Sequence, residues 1–206
     1  AQDHVRVCGG RAGSEAASSV APGRLTTILH VGAHHFGGTC TNHGCVPTKA
    51  LVKSARLAQA MRSANEYGIQ PVEPRFEWGD VIGRAYRIRD DMLREGVAPF
   101  TKAGVDVEYP AQAKLVGERR LEIGGRTIEA KAVLLATGLE AFIPPIPGLA
   151  EAGYLDNESA LELRELPRRM AVLGAGPTGC EFAQIFARFG VRVTIGAAAE
   201  PLLPPD

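Results

Sequence analysis

The chain has 206 residues, 45% of them hydrophobic, which suits one large domain or two small ones with a real core. Its 23 basic and 23 acidic side chains balance without forming a run of either sign, which argues against nucleic acid or an anionic membrane as the main partner. No apolar stretch approaches the roughly 18 residues of a membrane span, no signal-peptide pattern opens the chain, and four cysteines do not make a secreted disulfide scaffold; a cytoplasmic, thiol-keeping compartment is expected.

Val5-Arg6-Val7-Cys8 reads as a short buried strand. Gly9-Gly10-Arg11-Ala12-Gly13-Ser14 and a helix to about Val20 follow it, Pro22 and Gly23 stop that helix, and residues 25–31 form a second strand. Strand, glycine turn, helix, strand is the pattern of a dinucleotide-binding unit, with the pyrophosphate over the helix N-terminus. The fingerprint departs from its ideal. Gly9 holds the first glycine position, Arg11 stands at the second, and Ser14 replaces the third. Gly32 occupies the place where an acidic side chain would meet ribose hydroxyls.

Next comes Gly37-Gly38-Thr39-Cys40-Thr41-Asn42-His43-Gly44-Cys45-Val46-Pro47-Thr48-Lys49. A glycine pair allows left-handed backbone angles and close approach to a flat ligand. Pro47 suits the first position of a helix, and Ala50, Leu51, Ala55, Ala58 and Met61 recur at helical spacing, so a helix is expected to run to about Met61. Cys45 then sits at the positive end of the helix dipole, where a thiolate is stabilised, and Lys49 lies one turn further along. In a regular helix Cys40 and Cys45 would be separated by about 7.5 Å of rise, beyond the usual disulfide Cα span of about 4.4–6.8 Å. Residues 42–44 must therefore leave the helix, which Gly44 makes easy, and the sulfurs then form a closable, reducible pair. Two plainer readings stand beside this one. The cysteines are a pair of buried thiols, or they form a zinc site with His34, His35 and His43, although structural zinc sites use a second ligand pair that is not found downstream.

Residues 77–103 carry Trp78, Val81, Ile82, Ala85, Ile88 and Met92 at helical spacing, a stripe that reads as core packing, ended by Gly104. Residues 105–107, 113–116, 121–123 and 127–128 alternate as strands, with Gly124-Gly125 turning between the last two. Ala132-Val133-Leu134-Leu135 reads as a continuous apolar strand leading into Ala136-Thr137-Gly138. A proline-rich linker, Ile143-Pro144-Pro145-Ile146-Pro147-Gly148, comes next. Met170-Ala171-Val172-Leu173 is a further buried strand, followed by Gly174-Ala175-Gly176-Pro177-Thr178-Gly179-Cys180-Glu181. All three glycines of GxGxxG are present, and the segment should seat a nicotinamide dinucleotide. Cys180 reads as a helix packing residue. Residues 191–195 form the next strand. The acid expected after it falls near Ala197, and no arginine replaces it, so NADH and NADPH are not separated by this sequence.

The segment GGTCTNHGCVPTKAL closely resembles the active-site stretch of the class I pyridine nucleotide–disulfide oxidoreductases, FAD-dependent enzymes, and looks nearest their mercuric reductase and dihydrolipoamide dehydrogenase branch. The resemblance implies that Cys40 is the interchange thiol that meets substrate, that Cys45 lies against the flavin, and that Lys49 reaches the flavin edge, paired with Glu181. It also implies FAD contacts from Gly9, Gly10, Gly13, Ser14, Gly37, Gly38, Thr39 and Lys49. Further FAD contacts would come from Ala113, through its backbone, and from Ala136, Thr137 and Gly138. NAD(P)H contacts would come from Gly174, Gly176 and Gly179. Hydride would pass from NAD(P)H to flavin, and electrons then to the Cys40–Cys45 disulfide and on to a small-molecule disulfide or Hg(II). No metal is implied as a resident group.

The fold expected is α/β. A Rossmann-like FAD-binding domain with a small antiparallel β insertion, residues 1–148, contains CxxxxC, and the first part of a second Rossmann-like NAD(P)-binding domain occupies residues 149–206. Family members continue much further, into a dimerisation domain that supplies an acid–base pair from the partner subunit, so this sequence reads as their N-terminal part only. The competing reading from another class is a truncated, non-catalytic dinucleotide-fold fragment or interaction module; Arg11, Gly32 and Ala197 favour it and the intact cysteine–lysine motif opposes it.

Overall fold

The computed structural model describes residues 28–31, 36–108, 110–138 and 140–197. The first fingerprint (residues 5–20), Gly32, His34 and His35 lie outside them. In chain order the elements are β1 (Ile28–Val31), α1 (Gly38–His43), α2 (Cys45–Arg62), α3 (Trp78–Lys102), β2 (Val105–Glu108), β3 (Ala113–Gly117), β4 (Arg120–Ile123) and β5 (Arg126–Glu129). They are followed by α4 (Leu149–Ala152), α5 (Asn157–Leu161), β6 (Arg169–Leu173), α6 (Pro177–Arg188) and β7 (Arg192–Gly196). The result is an α/β fold that divides into two compact units, Ala1–Asn42 with Arg89–Pro144 and His43–Ile88 with Pro145–Asp206. Among the described residues no helix is long and apolar enough to cross a membrane.

In the first unit β1 and β2 pair in parallel, Ile28 opposite Val105 and Val31 opposite Glu108. A parallel pair cannot be closed by a tight turn, so the chain leaves and returns over a long connection. Strands β3, β4 and β5 form an antiparallel sheet in that order. Along β4 exposed and buried residues alternate, and Leu121 and Ile123 enter a small core with Ala130. Gly124 and Gly125 turn the chain between β4 and β5 with φ of 56° and 79°, both positive as a tight type I′ hairpin requires. In the second half of α3, Phe100 meets Phe36 edge-on at 5.2 Å. These rings, with Leu93, Pro99 and Val105, line a cavity of about 430 Å³.

Two expectations need correction here. Residues 132–135 form no strand, and Leu134 and Leu135 are exposed. A continuous apolar run becomes a buried strand only where neighbours share its ladder and cover both faces, and among the described residues none does. Met92, expected in the core stripe of α3, is 51% exposed, because that helix passes from one unit to the other and its buried stripe ends with Ala85.

The second unit is organised by α2 packing on α6. Leu51, Ala55 and Ala58 of α2 meet Phe182, Ile185 and Phe186 of α6, with Trp78, Ile82 and Ala85 of α3 and Leu161 of α5 completing the core. Fully burying a side chain such as Leu51 or Phe186 contributes about 1.5–3 kcal/mol. The two polar ends within this core are satisfied. Trp78 Nε1 donates to the Leu163 carbonyl and the Tyr86 hydroxyl to the Leu161 carbonyl, both at 2.9 Å. Strands β6 and β7 pair in parallel, Arg169 opposite Arg192 and Leu173 opposite Gly196, with α6 as the crossover between them. At the end of α2, Arg62 donates to the Arg188 carbonyl at 2.6 Å while the Glu73 carboxylate grips the same guanidinium at 2.7 Å. The Arg62 hydrogen bond holds the Glu73 carboxyl below its ordinary pKa and raises that of Arg62.

Candidate active site

Gly37 and Gly38 lead into α1 with φ of 92° and 62°, the left-handed angles expected of the pair. This one-turn helix has its own staple. The buried Asn42 amide donates to the carbonyls of Phe36 and Gly38, each at 2.9 Å, and so fixes the turn that carries Cys40. The helix breaks at Gly44, whose φ of −127° and ψ of −114° are not helical, and α2 starts afresh at Cys45. That break is the departure the spacing demanded, and Cys40 and Cys45 are joined as a disulfide. Helix α2 begins two residues earlier than expected. Cys45 is its first residue, and Pro47 is third, still within the turn where a missing N–H breaks no intrahelical bond.

Cys40, Cys45 and Lys49 are all exposed. Lys49 Nζ lies 2.5 Å from Glu181 Oε1, a pair brought together across 132 positions. Their side chains are 60% and 33% exposed, and ion pairs so open contribute only about 0–1 kcal/mol. The contact therefore orients Lys49 more than it stabilises the fold. It exists because α2 and α6 share one core, with Lys49 one turn into the first and Glu181 early in the second.

At the start of α6, Gly176 is the N-cap, no side chain caps the helix, and Pro177 follows at its first position. A Cβ placed on Gly174 or Gly176 would meet nothing within 4 Å, whereas one on Gly179 would lie 2.2 Å from the Gly174 carbonyl oxygen. The first two glycines thus leave open space beside uncapped N–H groups, which suits a phosphate, and the third lets the helix press on the strand end. Cys180 is a free thiol whose Sγ donates to the Ala175 carbonyl at 3.3 Å, a packing role in keeping with its reading.

Gly9, Gly10, Gly13 and Ser14 lie outside the described residues. Thr39 is half-buried in α1, and Ala113 is the exposed first residue of β3. Ala136, Thr137 and Gly138 lie in the first unit without regular structure. One contact escaped the sequence altogether. Asn157, at the start of α5, donates its side-chain amide to the His43 carbonyl at 3.0 Å. His34 and His35 of the zinc alternative lie outside the described residues, and among the described residues no group of three or more His, Cys, Asp or Glu side chains is placed to hold a metal.

The family model for pyridine nucleotide-disulphide oxidoreductase matches residues 3–206. The chain is 30% identical to a dihydrolipoyl dehydrogenase of Acholeplasma laidlawii, covering 97% of this chain and 61% of that protein. It is 34% identical to a mercuric reductase of Streptomyces lividans, covering 93% and 42%. Among solved structures, the HOCl-induced flavoprotein disulfide reductase RclA from Escherichia coli superposes with a TM-score of 0.78 at 29% identity, over 98% of this chain and 43% of that one. The chain thus spans about half the length of the relatives it matches. With a CxxxxC disulfide and a GxGxxG turn in one α/β fold, and a match from residue 3 to residue 206, the chain belongs to the pyridine nucleotide-disulphide oxidoreductase family.

Proposed function

We propose that this chain carries the redox-active part of an FAD- and NAD(P)H-dependent oxidoreductase that reduces a small disulfide or a soft metal ion. The observation that carries the reading is the exposed Cys40–Cys45 disulfide at the start of α2, one turn before a lysine that is already paired with Glu181. FAD, when bound, supplies the two-electron carrier between a nicotinamide and a disulfide. Cys45 and Lys49 are assigned to the flavin side, Glu181 to holding Lys49 in place, and Gly174, Gly176 and Gly179 to the nicotinamide dinucleotide. The glycines of the first fingerprint, Gly37, Gly38 and Thr39, Ala113, and residues 136–138 are assigned to FAD. In this reading residues 1–148 are the FAD-binding domain, β3–β5 are its antiparallel insertion, and residues 149–206 begin the NAD(P)H domain. A reducing, cytoplasmic compartment suits thiols that must cycle.

Once the pair is reduced, the Cys40 thiolate attacks one sulfur of a disulfide substrate and displaces the other as a thiolate, which takes a proton. The Cys45 thiolate then attacks Cys40 of the mixed disulfide, releases the second substrate thiol and restores the Cys40–Cys45 bond. The α2 N-terminus favours the thiolate form of Cys45 while the pair is reduced. Relatives described as dihydrolipoyl dehydrogenases and mercuric reductases, and a Cu(II) complex of RclA, make lipoamide-like disulfides and soft metal ions the substrate classes to test. The deciding experiment is the visible spectrum of the purified chain before and after NADH or NADPH. A stoichiometric flavin band that bleaches supports the assignment. A colourless protein that takes up no added FAD removes it and leaves a non-catalytic dinucleotide-fold module.

A further inference from the structure

His43 is the last residue of α1 and lies inside the ring closed by the Cys40–Cys45 disulfide. Carbonyls in the last turn of a helix lack intrahelical partners, and here the helix is broken one residue later, at Gly44. The His43 carbonyl accepts from Asn157 Nδ2 at 3.0 Å, across 114 positions of sequence. The donor is firmly mounted. Asn157 opens α5, whose cap is a closed box in which the Asp156 carboxylate accepts the Ser159 N–H at 2.8 Å and the Ser159 hydroxyl accepts the Asp156 N–H at 2.9 Å. At its other end Leu161 is 1% exposed in the core, and its carbonyl holds the Tyr86 hydroxyl. One side chain on an anchored element thus grips the peptide group two residues before Cys45.

We propose that Asn157 is a positioning residue for the redox pair. Its amide holds the His43 carbonyl where residues 40–45 must lie for the sulfurs to bond, and so favours the disulfide over the dithiol. The inference rests on Cys40–Cys45 being the redox pair of the proposed function. Without the contact the segment gains freedom in the dithiol state, and the two thiols meet in bonding geometry less often. A hydrogen bond of ordinary net strength changes such a closure equilibrium by about fivefold, which is roughly 20 mV for a two-electron couple.

The test needs neither flavin nor substrate. The full chain is equilibrated in buffers of reduced and oxidised dithiothreitol, thiols are trapped by alkylation, and the peptide holding Cys40 and Cys45 is quantified by mass, apart from Cys8 and Cys180. Each reduction takes two electrons and two protons from dithiothreitol, which closes to its cyclic disulfide, and yields two protein thiols. Asn157→Ala and Asn157→Asp should both move the exchange equilibrium about fivefold toward the dithiol. Aspartate suits the first turn of a helix, so Asn157→Asp keeps α5 while removing the donor. A purely structural role would lower the unfolding midpoint and leave the exchange equilibrium in place. Variants within twofold of wild type overturn the inference while the redox reading stands. A wild-type disulfide that exchanges with none of the buffers overturns the redox reading, and this inference with it.

Discussion

Replacing Gly179 with alanine should unseat α6 from the end of β6. The added Cβ would lie 2.2 Å from the Gly174 carbonyl oxygen and 3.2 Å from its carbon. Carbon and carbonyl oxygen rest about 3.3 Å apart at closest, so the helix must retreat by roughly 1 Å. The obstacle is backbone and cannot rotate aside, which puts the change at the upper end of the about 1–3 kcal/mol usual for overpacking. The chain provides its own reporter. Trp78 is the only tryptophan, and its ring centre lies 5.9 Å from Phe186 on α6 and 5.4 Å from Phe189 just beyond it. With a urea slope of about 1–3 kcal/mol per molar, the midpoint read by tryptophan fluorescence should fall by roughly 1–3 M. Gly176→Ala is the control, since nothing lies within 4 Å of its Cβ position and its φ of −71° suits alanine. Its weaker N-cap is offset by a less flexible unfolded chain, so the midpoint should stay within roughly 0.5 M. An unchanged midpoint in Gly179→Ala, or equal losses in both variants, would refute the close-approach argument.

Cys40→Ser should abolish substrate reduction while leaving exchange between NAD(P)H and flavin; retained turnover in a steady-state assay would remove Cys40 from its assigned role. Asp156→Ala should destabilise by about 0.5–2 kcal/mol at neutral pH through loss of the α5 cap. The hydrogen bond from the Ser159 hydroxyl, followed by that from its backbone N–H, holds the Asp156 carboxyl below its ordinary pKa. The stability it contributes is therefore full above the unfolded value of about 3.9 and is lost as pH falls through the lower folded value. Thermal unfolding of wild type and variant, scanned from pH 6 downward, should converge only in that acid window. Arg62→Met should cost about 1–2 kcal/mol by leaving the Arg188 carbonyl without its charged donor. Glu73→Gln should do much less in the same urea titration, because its carboxylate is open to water.

The local features of this chain were legible because they are written in short-range chemistry. Helix α2 follows from apolar residues at helical spacing, the Gly124-Gly125 hairpin from the only residue type at ease with two positive φ angles, and β6–α6–β7 from a complete GxGxxG between apolar runs. The break before Cys45 was legible too, since a continuous helix would hold the sulfurs apart. What could not be read depends on which surfaces meet. Residues 132–135 have a strand's composition and no ladder, because composition cannot supply a neighbour. Met92 keeps its helical place but lies past the point where α3 leaves the core of the second unit.

The same limit holds at the candidate site. The sequence by itself determined the cysteine pair, its lysine one turn on, and the family they point to. Only the tertiary structure decided that Asn157 grips the His43 carbonyl and that Arg62 clasps the end of α6. The Lys49–Glu181 contact shows the difference. Family resemblance suggested the partners, but the 2.5 Å approach exists because the apolar faces of α2 and α6 bury one another. Hydrophobic burial is not directional and brings helices together from any distance along the chain, so the polar contacts it creates have no signature in the local sequence.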